Sequence, residues 1–178
     1  MSSLFVYHQS IPEQPYKVLT HLEDIASTLG EHGVGFERLH AGSPVNADTS
    51  EEELLDSYRV QIDTLMTERG YAVVDVLRAN TADPALRAST LDEHLCSEDE
   101  VRYFIAGRGL FTLHIDEHVY AVLCEKNDLI SVPAGTRRWF DIGENPRVAA
   151  VRFFRKAPGD VTPTRDGIAA RFVQLDDL

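Results

Sequence analysis

Between residues 98 and 154 the chain is a succession of short β-type runs, and this constrains the fold more than any other feature. The runs are Val101–Ile105, Leu110–Ile115, Val119–Leu123, Leu129–Val132, Trp139–Ile142 and Val148–Phe154. Turn residues separate them at Gly107-Arg108-Gly109, Asp116-Glu117, Lys126-Asn127-Asp128, Pro133-Ala134-Gly135 and Gly143 to Pro146. Evenly spaced strands with no helix between them cover their apolar faces against one another, so an antiparallel sandwich or barrel is expected. A chain of 178 residues with 43% hydrophobic content is one domain's worth and can bury a core.

The stretch before this array reads differently. Leu4–Tyr7 is a short strand candidate. Val18, Leu22, Ile25 and Leu29 lie at helical spacing, predicting a helix over 18–29. Ser50 followed by Glu53 is a capping-box signature, and Leu54, Leu55, Tyr58, Ile62, Leu65 and Met66 continue it as one helical stripe ended by Gly70. Tyr71–Leu77 is β-rich, and a loop with Pro84 is expected after it. The chain thus divides into a helical part over 1–70, a β-barrel core over 71–155 and a tail over 156–178, where Ile168–Val173 is a candidate edge strand.

Seventeen Lys and Arg stand against 29 Asp and Glu, a formal charge of −12. A nucleic-acid or anionic-membrane surface would need a concentrated basic patch to overcome that field, and a short pair such as Arg137-Arg138 does not make one. No apolar run approaches the roughly 20 residues of a membrane-spanning helix. The first residues show no export signal, and Cys96 and Cys124 make no disulfide framework, so the cytosol is the expected compartment.

Chemistry concentrates in two blocks. The first is Glu93-His94-Leu95-Cys96-Ser97-Glu98-Asp99-Glu100-Val101-Arg102, and the second runs from Asp128 to Asp141 through Pro133-Ala134-Gly135-Thr136-Arg137-Arg138-Trp139-Phe140. Residues two apart on a strand share a face, so His94 and Cys96 can point into one cavity, with Glu100 facing them across a turn. Imidazole, thiolate and carboxylate would make a plausible three-ligand site for a divalent transition metal. His8, His21, His32, His40, His114 and His118 lie outside this pattern and read as surface or satisfied core residues, as does Cys124.

The two blocks resemble the paired motifs of the cupin superfamily, and their wording is closest to the acireductone dioxygenase family. That family typically reads His-x-His-x-x-x-Glu-Val-Arg, then a glycine-bounded strand, then Asp-Leu-Ile-x-Val-Pro-Ala-Gly-Thr-x-His-Trp-Phe-Asp. The likeness runs from about Glu51 to Phe154. It implies a jelly-roll β-barrel, packed here with helices from the amino-terminal third. It also implies four metal-ligand positions: His94, Cys96, Glu100 and Arg138. The family has histidine where this chain has Cys96 and Arg138. By the same resemblance Arg102 faces the substrate, Phe140 is a pocket wall, and Thr90 aligns with a second pocket aromatic.

A guanidinium has no lone pair and stays protonated, so Arg138 cannot ligate. Pointing inward at roughly 4 Å, it would repel a dication by on the order of 8 kcal/mol at a dielectric near 20, before anionic ligands offset part of that. Beside Glu100 the same charge is attractive. The expectation is therefore a metal-independent cupin enzyme without a cofactor, acting on a small enolisable substrate. Glu100 or His94 would be its base, and Arg102 and Arg138 would stabilise the enolate. One alternative is an Fe(II) or Ni(II) acireductone dioxygenase of methionine salvage with His94, Cys96 and Glu100 as a reduced ligand set. Another is a non-catalytic cupin that binds a small molecule.

Overall fold

The computed structural model describes residues 1–40 and 44–178. The chain opens with β1 (Ser3–His8), β2 (Lys17–Leu19), α1 (Leu22–Gly30) and β3 (Gly35–Arg38), followed by α2 (Glu51–Ser57) and α3 (Arg59–Arg69). Next come β4 (Val73–Ala79), α4 (Pro84–Leu91), β5 (His94–Cys96), β6 (Glu100–Ile115) and β7 (His118–Glu125). The last strands are β8 (Asp128–Val132), β9 (Arg137–Asp141), β10 (Val148–Phe154) and β11 (Val161–Pro163), and short 3-10 turns end the chain.

Every strand pair is antiparallel, and β6 belongs to two sheets. Its first half pairs with β10 and β8, its second half with β7 and β9. One sheet runs β4-β10-β6-β8-β3, the other β11-β5-β9-β6-β7-β1-β2. The two inner faces meet in one apolar cluster that includes Leu4, Phe104, Phe111, Leu113, Val122, Ile130, Phe140 and Ala150. Outside the first sheet, Leu54, Tyr58, Ile62 and Leu65 of the α2–α3 region cover Val101, Tyr103, Ile105 and Phe153. Outside the second, Ile168, Phe172 and Leu175 of the tail cover Leu110, Ala121 and Trp139. Each outer face is thereby removed from water, which is what the double-sided apolar runs require.

Five local features differ from the sequence reading. Gly107-Arg108-Gly109 is not a hairpin turn: β6 continues through it for 16 residues and crosses from one sheet to the other. Gly107 adopts φ +68°, and a Cβ there would collide with the Arg147 carbonyl, so the corner needs glycine. The 50–70 helix is two segments broken at Tyr58, whose ψ of 13° departs from the helix. Ser50 still caps the first by accepting from the Glu53 amide, and Gly70, at φ +73°, ends the second.

The Pro84 segment is a helix, α4, with Asp83 accepting from the Leu86 amide and Pro84 in its first turn. Residues 168–171 form a 3-10 turn, and the edge strand lies earlier, at β11. Lys17–Leu19 is likewise strand rather than helix, so Val18 lies outside α1. Among the described residues no helix is long and apolar enough to cross a membrane.

Candidate metal and substrate site

The site is built on β5, the start of β6 and β9. His94 on β5 is the direct register partner of Arg138 on β9, and Cys96 lies two residues on. Glu100 and Arg102 open β6 on the face that continues inward to Phe104. Strand pairing thus brings together the residues singled out from the sequence except Thr90. That residue ends α4, half-buried, and its hydroxyl donates to the Arg87 carbonyl.

Glu100 is 3% exposed and both its oxygens face cations. Arg102 Nε donates to Oε1 at 2.5 Å, and Arg138 Nη1 donates to Oε2 at 3.5 Å. Burial pushes the Glu100 carboxyl up, but the charge and hydrogen bond of Arg102, with help from Arg138, outweigh it and hold the group below the ordinary glutamate range. Arg138 is 1% exposed and points inward. Two backbone carbonyls anchor it: Nε donates to Thr136 O at 3.0 Å and Nη2 to Pro133 O at 2.8 Å.

Arg102 lies deeper. Its guanidinium stacks between Phe111 and Phe140, 4.6 Å from each ring centroid. Its Nη1 is buried and has no hydrogen-bond partner. Tyr103 Oη, Thr112 Oγ1 and Asn127 Oδ1 are also buried without partners, but those groups are neutral. A charged donor left open inside a barrel marks room for an acceptor from a ligand. Phe111 and Gly109 are residues the sequence reading missed. A Cβ at Gly109 would run into the Phe140 ring, so this glycine gives the ring its place over Arg102. The β-type alternation Phe111–Leu113 was the available signal for an inward Phe111.

The donor chemistry suits a divalent transition metal at three positions. His94 Nδ1 lies 2.8 Å from the Asp92 carbonyl, which only accepts, so Nδ1 carries the proton and Nε2 keeps its lone pair. That second-sphere bond is the usual way a ligating histidine is oriented. Burial holds the His94 imidazole below its ordinary pKa, which favours the neutral form a ligand needs. Cys96 supplies sulfur; burial raises its thiol pKa, and the charge of Arg138 is the largest opposing influence. Glu100 supplies oxygen. Arg138 supplies nothing a metal can use. Among the described residues no three His, Cys, Asp or Glu side chains stand in ligand array, because Glu100 is turned to its two arginines.

A second charged cluster lies outside the barrel. His114 Nδ1 donates to Glu93 Oε2 at 2.7 Å, and its Nε2 is 3.0 Å from Gln9 Oε1. Thr164 Oγ1 donates to Glu93 Oε1 at 2.6 Å. His114 is thus a satisfied buried residue, and Cys124 is fully buried in the core. A groove of about 430 Å³ lies beside His32, His114 and Arg137, whereas one of about 180 Å³ touches Glu100 itself, bounded by Tyr71, Asp99 and Pro133. Of the residues that the two blocks singled out, the smaller groove touches Glu100 but not His94, Cys96, Arg102 or Arg138.

Comparison with known proteins agrees with this geometry. The sequence matches the model of the ARD/ARD' family over residues 4–162. It is 62% identical to an acireductone dioxygenase of Pseudomonas syringae pv. syringae (strain B728a), over 99% of this chain and 100% of that one. An acireductone dioxygenase of Stutzerimonas stutzeri (strain A1501) is 60% identical over the same shares. Among solved structures, acireductone dioxygenase from Bacillus anthracis with a cadmium ion in its active centre superposes with TM-score 0.72 at 25% identity, covering 89% of this chain and 95% of that one.

These likenesses overturn two expectations. Metal-independent proton transfer by Glu100 or His94, stabilised by Arg102 and Arg138, does not agree with full-length similarity to enzymes named as dioxygenases. A reaction without a cofactor does not agree with a structural neighbour that carries a metal ion in its active centre. The site explains why a Glu100 base was a poor choice: two guanidiniums hold its carboxylate and weaken its grip on a proton. The reading as a non-catalytic binding module falls with the same relatives. With its cupin jelly roll and this full-length likeness, the chain belongs to the ARD/ARD' family and is an enzyme related to acireductone dioxygenase.

Proposed function

We propose that the protein is a metal-dependent acireductone dioxygenase of methionine salvage, cleaving a small acireductone oxidatively. The observation that carries this reading is 62% identity over 99% of the chain to an enzyme of that name. His94, Cys96 and Glu100 would hold a single Fe(II) or Ni(II). Such an ion, when bound, supplies Lewis acidity and an electron reservoir for reaction with dioxygen.

The rest of the work falls to the chain. The Arg102 Nη1 donor, pinned between Phe111 and Phe140, meets an anionic substrate oxygen with a fixed charge that needs no reorganisation. Phe140 and Phe111 also keep water from that contact. The Asp92 carbonyl keeps the His94 proton on Nδ1 and its lone pair on Nε2. Arg138 gives the chamber a second fixed positive charge near Glu100.

Oxygen uptake by the iron-loaded and the nickel-loaded protein with a synthetic acireductone tests the reading. Consumption of dioxygen with release of formate is expected. Arg102→Met should lower kcat/KM by about 10²–10³-fold while metal content is kept. Absence of oxygen uptake with both metals would overturn the proposal.

A further inference from the structure

Side chains stack in layers along the inner face of β6 and β9. Phe111 lies opposite Phe140, and two residues on Leu113 lies opposite Arg138. Two residues further, Ile115 at the end of β6 and Thr136 just before β9 line the groove of about 430 Å³. Alternation keeps these positions on one face, so the groove opens above the Arg138 layer. At about 3.3 Å per residue, Ile115 stands roughly 13 Å along the strand from Phe111. The groove is thus the mouth of the barrel, and Arg102, stacked between Phe111 and Phe140, lies at the bottom of the same column.

The lining of the mouth has the chemistry of an oxyanion site. Arg137 is exposed on it and makes no ion pair or hydrogen bond among the described residues. Its register partner His114 is engaged with Glu93 and Gln9, and Glu93 gives its oxygens to His114 and Thr164. Below the rim lies a second cation. Arg138 is held by the Pro133 and Thr136 carbonyls of the β8–β9 loop, and Gly135 and Thr136 of that loop line the groove above it. Asp116 also lines the groove, from the β6–β7 turn, and its charge confines capture of an anion to the Arg137 side.

The rest of the molecule works against anions. With 29 acidic and 17 basic residues, the net charge of −12 repels them, and a concave mouth with an unpaired cation reverses that field locally. The groove of about 180 Å³ beside Glu100 also has an arginine, Arg155, but that cation is engaged. Its Nη1 donates to the Arg69 carbonyl, and its guanidinium stands over the Tyr71 ring.

We infer that the groove at the barrel mouth is an oxyanion-capture site with Arg137 as its binding residue. Through it a small carboxylate- or enolate-bearing molecule reaches first Arg138 and then Arg102. It rests on the proposed function only in taking the substrate's oxygens as the anion captured. Arg137 touches no reacting atom and acts before the chemistry, on the concentration of substrate at the mouth.

Two measurements test this. The first is calorimetric binding of oxalate, a small dianion, to the full chain without added metal. Wild type should bind it, Arg137→Gln should weaken binding by about tenfold, and Arg137→Lys should recover most of the affinity. The second is oxygen uptake with a synthetic acireductone. Arg137→Gln should lower kcat/KM by about tenfold at low salt with kcat unchanged, and Arg137→Glu should lower it further. The gap should close toward 1 M salt, where the Debye length is about 3 Å. Arg59→Glu makes the same change in net charge on the exposed side of α3 and should leave both readouts as in wild type.

Absence of oxalate binding, equal oxalate affinity in wild type and Arg137→Gln, or an equal loss in Arg59→Glu would each overturn the inference. So would a fall in kcat/KM for Arg155→Gln and none for Arg137→Gln, which would put the entrance at the smaller groove. Oxalate binding that depends on Arg137 without any oxygen uptake would strike the proposed function alone. Normal oxygen uptake, with oxalate affinity and kcat/KM both indifferent to Arg137, would strike this inference alone.

Discussion

Glu93 and Glu100 are seven residues apart, equally buried at 3% exposure, and each has both oxygens engaged. Their surroundings differ in one respect. Around Glu93 the network closes: His114, Gln9 and Thr164 bring the amino-terminal segment, β6 and the tail together. Around Glu100 it stays open, because Arg102 Nη1 has no partner and two guanidiniums share a single carboxylate. A closed buried network holds elements in place, and an open one keeps capacity for a ligand. The same residue type thus sits in a closed network on one side of β5 and in an open one on the other.

The largest effect that separates the two is expected from Glu100→Gln. It removes the oxygen donor and leaves Arg102 and Arg138 as uncompensated buried charges. Oxygen uptake should fall by about 10³-fold or more, and denaturant unfolding should show a loss of about 3–5 kcal/mol. Gly109→Ala comes next. The added methyl would push Phe140 off Arg102, lowering kcat/KM by roughly tenfold or more, the scale of a misplaced charged donor.

Glu93→Gln should be milder still. Urea unfolding is expected to register a loss of about 1–3 kcal/mol, since His114 and Thr164 lose a charged acceptor, while oxygen uptake stays near wild type. The smallest effect is in acid. Burial raises the Glu93 carboxyl pKa, but the hydrogen bonds from His114 and Thr164 outweigh it, so the folded value lies below the ordinary one. Its stabilisation is therefore present above the unfolded pKa of about 4.3 and lost as pH falls through the lowered folded value. Glu93→Gln should flatten that acid limb of the stability curve, which urea midpoints from pH 6 down to pH 3 would detect.

The site proved more legible than the elements that carry it. Period-two spacing put His94 with Cys96 and Glu100 with Arg102, the family resemblance added Arg138 and Phe140, and the structure places Arg138 beside His94 and Glu100 and Phe140 against Arg102. Strand alternation is short-range, so it survives errors elsewhere. The contacts of Arg102 with Phe111, and of Gly109 with Phe140, depend on how β6 folds back beside β9, which no local pattern encodes.

The fold was legible in outline, as strands paired antiparallel around a core. The glycine pair at 107–109 misled because glycine at positive φ serves a strand corner as well as a turn. Asp83-Pro84 carried a helix-start signal that Pro84's reading as a loop residue hid. The preference for chemistry without a metal came from the charge of Arg138, which cannot ligate and repels a dication.

The most direct test of the contrast between the two glutamates is metal content after anaerobic loading with Fe(II) and removal of excess. Wild type and Glu93→Gln should retain a single ion per chain, and Glu100→Gln should retain almost none. Equal retention in all three would contradict the assignment of Glu100 to the working site.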